Sequence, residues 1–304
     1  MKNVRTVLGD IPSETLGFTY PHEHLWAIPP MSQKDRDLEL SDYEGSLYEL
    51  CQFKKIGGNT LVDASTLDYG RDGKILKSLS IEAQVNVIGV SGFNKHIYYP
   101  RWVEVTDIDF IAHRLISDIT RGMDFSDAKA GILKGGTWYN YIHPLEQKTT
   151  QAIVHAFKET NAPIWMHTEV GTMGMEILDL FAKENIPADS ICLGHIDRNA
   201  DPYYHLKLLE RGVFLQFDGP AKVKYYPDST RIDLINNIIN HGFEDRLLIS
   251  GDMGRQSYLS GYGGGPGFSF IKTKFIPRML DEGICGTVID KIFTDNPANW
   301  LARF

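Results

Sequence analysis

Short runs of apolar and β-branched residues alternate along the chain with longer segments of helical periodicity. This alternation is typical of βα units and predicts a parallel sheet. We predict eight strands, at Phe18–His24, Asn59–Asp63, Asn86–Val90, Ala130–Gly135, Pro163–His167, Ser190–His195, Val213–Phe217 and Arg246–Gly251. We predict helices at Gly45–Ile56, Gly73–Gln84, Thr106–Arg121, Leu145–Thr160, Met173–Asn185, Pro202–Arg211, Ser229–His241 and Ser269–Glu282.

Eight strands, each followed by a helix, favour a closed barrel over an open doubly wound sheet. An open sheet rarely needs so many units, and no Gly-rich phosphate-binding turn follows the first strand. The length of 304 residues is usual for one barrel domain. We therefore predict an α/β fold, a TIM (β/α)8 barrel, as a single domain spanning residues 1–304.

Composition excludes several classes of protein. The net charge is −8, and no Lys/Arg cluster with interleaved aromatics indicates a nucleic-acid partner. Three scattered cysteines without a CxxC motif argue against a disulfide scaffold and against a thiolate zinc site, and suit a reducing cytoplasm. Neither a signal peptide nor an apolar run of about 18–20 residues is visible. We expect a cytoplasmic protein without a membrane anchor.

Metal-binding residue types recur where the predicted strands end. His22 and His24 are two residues apart, so a strand presents both on one face. The carboxyl ends of barrel strands form the active face, and six candidates lie there: His22, His24, Lys134, His167, His195 and Asp252. One HxH pair is a weak signal, because such histidines are often structural. Six residues at strand ends on one face indicate a metal centre.

The residue types suit two divalent metals. Imidazoles and a carboxylate bind borderline divalent ions, whereas a lysine ammonium would be repelled by them. A deprotonated Lys134 can add carbon dioxide to form a carbamate that bridges two metals. Burial would lower the pKa of Lys134 and so favour the neutral amine that this reaction needs. Asp252 is our candidate catalytic residue, as the general base that accepts the proton of a bridging water.

The motifs TVLGDIPSETLGFTYPHEHL, GILKGG, MHTE, GHIDR and FTDNPANWLARF resemble the phosphotriesterase family of the amidohydrolase superfamily. The resemblance implies a binuclear centre, normally zinc, with manganese or cobalt as alternatives. It implies that His22, His24 and Asp252 hold one metal and that His167 and His195 hold the other. It also implies that Lys134 is a bridging N6-carboxylysine and that the protein is a homodimer.

Loop residues suggest an anionic substrate. Lys222 and Lys224 follow the seventh strand, and Arg255 and Tyr258 follow the eighth; barrel enzymes often bind phosphate at these loops. The arrangement resembles the phosphorylated sugar lactonases of the family, which open a lactone ring by attack of a metal-bridging hydroxide. Alternatively, the two lysines are solvated and Arg255 pairs with an acid such as Asp218.

Further residues and functions remain open. Tyr98, in the aromatic loop 92–105, either contacts the substrate or packs on the surface. Glu169 and Asp197 either orient metal ligands or form loop salt bridges, and His143 either approaches the site or is structural. Alternative functions on the same centre are an organophosphate triesterase, an acyl-homoserine lactonase or an amidase. A metal-binding barrel without catalysis is the alternative of another class.

Overall fold

The computed structural model describes residues 2–30 and 35–304. Its strands are β1 Asn3–Thr6, β2 Gly9–Pro12, β3 Thr19–Glu23, β4 Thr60–Asp63, β5 Asn86–Gly92, β6 Ala130–Thr137, β7 Ile164–Thr168, β8 Ile191–Gly194, β9 Phe214–Phe217 and β10 Leu247–Ile249. Its α-helices are α1 Tyr43–Lys55, α2 Gly73–Ala83, α3 Arg101–Val105, α4 Ile108–Thr120, α5 Pro144–Thr160, α6 Gly174–Lys183, α7 Pro202–Leu209, α8 Asp228–Asn240, α9 Ile276–Asp281, α10 Gly286–Asp290 and α11 Asn296–Leu301.

Strands β3 to β10 form one parallel sheet in chain order. The sheet closes where β10 returns to β3: the His22 carbonyl accepts a bond from the Asp252 amide at 3.1 Å and from the Ser250 hydroxyl at 2.7 Å. All eight predicted strands are present, with ends shifted by a few residues, and the predicted TIM barrel is confirmed. The hairpin of β1 and β2 was not predicted.

Alternation along the strands separates two apolar layers. On β10, Leu247 and Ile249 belong to the large cluster beneath the helices, whereas Leu248 belongs to a smaller cluster inside the barrel. The inner cluster also contains Trp165 of β7 and Phe214 of β9. Because side chains on a strand repeat every two residues, a residue two positions further along each of these strands also faces the barrel axis, at the mouth.

The C-terminal part of the chain differs from the prediction. The predicted helix Ser269–Glu282 begins with a π-helical turn, Ile271–Phe275, that continues into α9. Helices α10 and α11 were not predicted, because each is only five or six residues long. The buried Trp300 of α11 donates its indole N–H to the Ser190 carbonyl and helps to close the bottom of the barrel. The predicted loop 92–105 contains the short helix α3.

Within the described ranges, no helix combines the length and the apolar character that crossing a membrane requires.

Candidate metal centre and active site

A cavity of about 210 Å³ opens at the carboxyl ends of the barrel strands. Strand alternation explains how two side chains reach it: Lys134 lies two residues beyond Ile132, and His167 lies two beyond Trp165. All six predicted metal ligands line this cavity: His22, His24, Lys134, His167, His195 and Asp252. The structure thus brings together the residues that the strand-end pattern selected.

The first group of donor atoms surrounds one oxygen of Asp252. Oδ1 lies 3.6 Å from Nε2 of His22 and 3.4 Å from Nε2 of His24. One donor atom from each of the three residues lies within 4.8 Å of the others. Asp252 reaches this position through a left-handed backbone conformation, with φ of 46°. These three residues form one candidate metal position.

The second group is the pair His167 and His195. Nδ1 of His167 lies 3.0 Å from Nε2 of His195. Residue His195 follows β8 with a φ of 63°, and this left-handed backbone turns its ring into the mouth. Burial lowers the pKa of His167 to about 4 and holds the pKa of His195 well below its ordinary value. Both rings are therefore neutral at pH 7, the form in which imidazole binds metals.

Lys134 lies at the centre of the floor. Its side chain is almost completely buried, its ammonium donates to the Ala64 carbonyl at 2.6 Å, and it lies 4.6 Å from the centre of the Trp165 ring. Burial lowers the pKa of Lys134 from 10.5 to about 8. A larger share of neutral amine is therefore present near pH 7 than for an exposed lysine, as carbamate formation requires.

Asp218 orients one histidine of each group. Its Oδ2 lies 3.4 Å from Nδ1 of His22 and 3.1 Å from Nδ1 of His195. The carboxylate is fully buried and accepts bonds from the His195 amide at 2.9 Å and the Gln216 side chain at 2.6 Å. We expect the carboxylate to select the tautomer that leaves Nε2 of each ring free. This position of Asp218 was not predicted, although alternation along β9 from Phe214 through Gln216 indicates it.

Other residues predicted near the ligands divide into two groups. Glu169 accepts from Nε2 of His167 at 2.8 Å and also pairs with Lys95, so it is placed to orient a ligand. Asp197 pairs with Arg231 at 3.0 Å and accepts from the Asp218 amide at 3.0 Å, so it contacts Asp218 rather than a histidine. His143 caps helix α5, and its ring lies outside the residues that line the cavity.

The residues present fit two divalent ions. Four imidazoles and a carboxylate converge at the mouth, with the facing ring nitrogens on one side and the Asp252 oxygen on the other. Among the described residues, the Nδ1 atoms of His22 and His195 are buried close to Asp218 but without a well-aligned hydrogen bond, as expected of rings whose final orientation depends on a ligand at Nε2. This donor set, with a carboxylate behind the histidines, matches borderline divalent metals.

Replacing Asp218 with asparagine is expected to weaken metal binding by about 10- to 100-fold. In asparagine one carboxylate oxygen becomes an NH₂ donor. That donor must face either the Gln216 side-chain NH₂, which now donates to Oδ1, or the histidine nitrogens and the His195 amide, which all contact Oδ2. Metal titration of chelator-treated protein, followed by metal analysis, measures this effect. Asp233→Asn on helix α8, outside the cavity, is the control; equal affinities for both variants would contradict the orienting role.

Two cations hold the other oxygen of Asp252. Oδ2 accepts from Nη2 of Arg198 at 2.8 Å and from Nζ of Lys222 at 2.8 Å. Although burial opposes ionisation, the nearby Lys222 ammonium holds the pKa of Asp252 well below its ordinary value. The carboxylate is therefore ionised at neutral pH and rotationally fixed, with Oδ1 towards the histidines. Arg198 was not singled out in the sequence.

The predicted substrate residues all line the cavity, but their partners differ. Lys222 is hydrogen-bonded to Asp252, and Arg255 pairs with Asp35 at 2.7 Å and Asp37 at 3.2 Å rather than with Asp218. Lys224 lies 5.3 Å from the ring centre of Tyr258. Tyr98 is buried and packs edge-on against Tyr69 rather than on the surface. Their roles in substrate binding stay predictions.

Comparison with known proteins agrees with the barrel fold. The model of the phosphotriesterase family matches residues 2–301 of this chain. The chain belongs to the phosphotriesterase family. It is a hydrolase of this family, and the predicted resemblance is confirmed.

Relatives of known structure or activity cover nearly the whole chain. A phospho-furanose lactonase from Mycoplasmopsis synoviae is 34% identical, over 99% of this chain and 92% of its own length. The crystal structure of a lactonase from Listeria monocytogenes has a TM-score of 0.97 and 40% identity, covering 99% of both chains. A phosphotriesterase homology protein from Escherichia coli, complexed with phosphate in its active site, has a TM-score of 0.92 and 28% identity, covering 94% of this chain and 99% of its own.

Proposed function

We propose that this phosphotriesterase-family protein hydrolyses a small lactone that carries a phosphate, of the furanose type. In this reaction the oxygen of water bonds to the ring carbonyl carbon. The bond between that carbon and the ring oxygen breaks, and the ring oxygen takes up a proton. The product is an open-chain hydroxy acid that retains the phosphate.

The assignment of a phosphate rests on Lys224, a cation at the cavity that has no counterion among the described residues. Its ammonium lies at the rim of the cavity, 5.2 Å from the ring centre of Tyr225 and 5.3 Å from that of Tyr258. It forms no salt bridge with any carboxylate in residues 2–30 and 35–304, whereas Lys222 and Arg255 both do. A cation that lines a cavity without a protein counterion is available for a ligand anion.

The size and charge of the cavity support a small anionic substrate. The cavity holds about 210 Å³, less than a typical drug-sized site. Two acidic side chains line it, Glu169 and Asp252. Apart from Lys134, which is carboxylated in this proposal, five basic side chains line it: Lys95, Arg198, Lys222, Lys224 and Arg255. Relatives named as phospho-furanose lactonase and lactonase, and a relative with phosphate in its active site, agree with this assignment.

Metal ions complete the proposed site. His22, His24 and Asp252 would hold one ion, and His167 and His195 would hold the other, with Lys134 as N6-carboxylysine between them. When bound, the ions supply Lewis-acid polarisation of the carbonyl and increase the acidity of the attacking water. Zinc, manganese and cobalt all suit these donors.

Asp252 moves the proton in this proposal. Its carboxylate accepts the proton of the attacking water and returns it to the ring oxygen as the ring opens. Arg198 and Lys222 fix the carboxylate in the ionised form that can accept this proton. Homodimer formation and a cytoplasmic location stay predictions.

The test compares a five-carbon 1,4-lactone that bears a 5-phosphate with the same lactone without phosphate. We expect far higher kcat/KM for the phosphorylated lactone. Replacing Lys224 with methionine should reduce this preference by about tenfold, because one charged contact is lost. Lys207→Met is a matched control, since Lys207 also lies over a tyrosine ring, that of Tyr203, but outside the cavity.

Equal rates for the two lactones would contradict the phosphate assignment while leaving lactone hydrolysis intact. High efficiency on an uncharged organophosphate triester, acyl-homoserine lactone or amide would favour another hydrolase activity. A protein with two metals per chain and no turnover on any of these substrates would be a metal-binding barrel without catalysis.

A further inference from the structure

Arg198 has hydrogen-bonding capacity that the protein does not use. A guanidinium carries five N–H donors, and in the part of the chain that the structure describes it makes one hydrogen bond, from Nη2 to Asp252. The side chain is 9% exposed, and its Nε is buried without a partner. Leaving buried donors unpaired is unfavourable, so a charged side chain that lines a cavity in this state indicates a ligand acceptor.

Lys222 provides a contrast within the same site. It contacts the same Asp252 oxygen at 2.8 Å, and it also donates to the Asp252 carbonyl at 2.5 Å. Its ammonium lies 5.4 Å from the ring centre of Tyr258. Lys222 is therefore engaged with the protein, whereas Arg198 contacts Asp252 and keeps donors for something else.

The position of Arg198 defines which part of the substrate it faces. Its Nη2 contacts Asp252, the residue proposed to act at the scissile carbonyl. The carbon of the same guanidinium lies 4.8 Å from the ring centre of Tyr225, and the ammonium of Lys224 lies 5.2 Å from the same ring. Arg198 is thus located between the proposed carbonyl position and the proposed phosphate position.

In a furanose lactone with a terminal phosphate, alcohol oxygens lie between the carbonyl and the phosphate. We propose that Arg198 is a substrate-binding residue that donates to these hydroxyl oxygens, first to the hydroxyl on the carbon next to the carbonyl. This inference rests on the proposed function and extends it: the enzyme would select polyhydroxylated sugar lactones over simple aliphatic ones of the same size. A site built to donate to a hydroxyl disfavours the analogue without it, because its donors are then left unpaired.

The experiment uses two phosphorylated five-carbon 1,4-lactones, one with the hydroxyl next to the carbonyl and one without it. The wild-type protein should have higher kcat/KM for the hydroxylated lactone. In Arg198→Met this preference should fall by at least about tenfold. Lys222→Met is the matched control: it also removes a contact with Asp252, and it should lower turnover of both lactones by a similar factor.

Each outcome is decisive. If Arg198→Met lowers kcat/KM for both lactones by the same factor, as expected for Lys222→Met, then Arg198 only positions Asp252 and the inference is wrong. If Arg198→Met does not fold, Arg198→Lys is used instead: it keeps the charge but has three donors in place of five and lacks the planar fork of the guanidinium. An unchanged preference in that variant overturns the inference. If the wild-type protein hydrolyses neither lactone, the proposed function itself fails.

Discussion

Replacing Asp252 with asparagine is expected to lower kcat on the phosphorylated lactone by roughly 10²- to 10⁴-fold. The amide keeps the size of the side chain but cannot take up the proton of the attacking water. It also leaves Arg198 and Lys222 without their shared counterion. Removing one partner of a buried ion pair is costly, about 3–5 kcal/mol, so the melting temperature should fall as well.

The measurement for Asp252→Asn is a steady-state assay on protein of known metal content. Asp245→Asn is the control, because Asp245 pairs with Lys291 at 2.6 Å on the surface with 65% of its side chain exposed. Exposed pairs contribute little to stability, so this variant should match the wild-type protein in both readouts. If Asp252→Asn binds its full complement of metal and has the same kcat as the wild-type protein, another group moves the proton.

Replacing Lys134 with methionine should have opposite effects on metal binding and on the stability of the metal-free protein. Without an amine no carbamate forms, so metal content should fall from two ions per chain to at most one, and activity should be lost. In chelator-treated protein, however, methionine removes the cost of a buried ammonium. The lowering of the Lys134 pKa from 10.5 to about 8 corresponds to roughly 3 kcal/mol, more than the hydrogen bond to Ala64, which contributes about 1 kcal/mol.

The sign of the pH dependence follows from the two pKa values. Below pH 8 the lysine is protonated in both the folded and the unfolded chain, and the folded state bears the full cost of burying the charge. As the pH rises from 8 to about 10.5, the unfolded chain binds more protons than the folded one, so the wild-type protein becomes more stable relative to Lys134→Met. Denaturant unfolding of both metal-free proteins at pH 7 and pH 9.5 measures this difference.

At pH 7 the metal-free Lys134→Met protein should have the larger free energy of unfolding. Its advantage over the metal-free wild-type protein should be smaller at pH 9.5. If this difference in the free energy of unfolding is the same at both pH values, Lys134 is not a buried ammonium with a lowered pKa. Full metal occupancy in Lys134→Met would contradict the carbamate, whatever the stability result.

The convergence of the six candidate ligands at the mouth could be predicted because their positions follow local rules. Strand alternation places Lys134 above Ile132 and His167 above Trp165, and this period of two is a property of any strand. Applying the same rule from Phe214 would have predicted Asp218 as well. The short helices α10 and α11 escaped prediction because five or six residues carry too little periodicity to identify them.

The polar contacts around the ligands could not be predicted in this way. Arg198 meets Asp252 across 54 positions of the sequence, and Arg255 meets Asp35 across 220. Neither arginine lies on a strand, so no periodicity defines where its side chain points. The path of each loop decides which acid each arginine contacts. In the described residues it leaves Lys224 without a salt bridge and Arg198 with one hydrogen bond, so both can donate to a ligand.

By itself, the sequence determined the barrel, its family and the six residues that could bind metal, because periodicity and residue type at strand ends are local properties. The tertiary structure decided which oxygen of Asp252 faces the histidines and that Asp218 lies behind His22 and His195. It also decided that Arg198 makes a single hydrogen bond within residues 2–30 and 35–304. These are pairings between side chains from different loops at the mouth of the barrel. They depend on the closure of the barrel in three dimensions, where small differences in loop path change which charge is neutralised and which remains available.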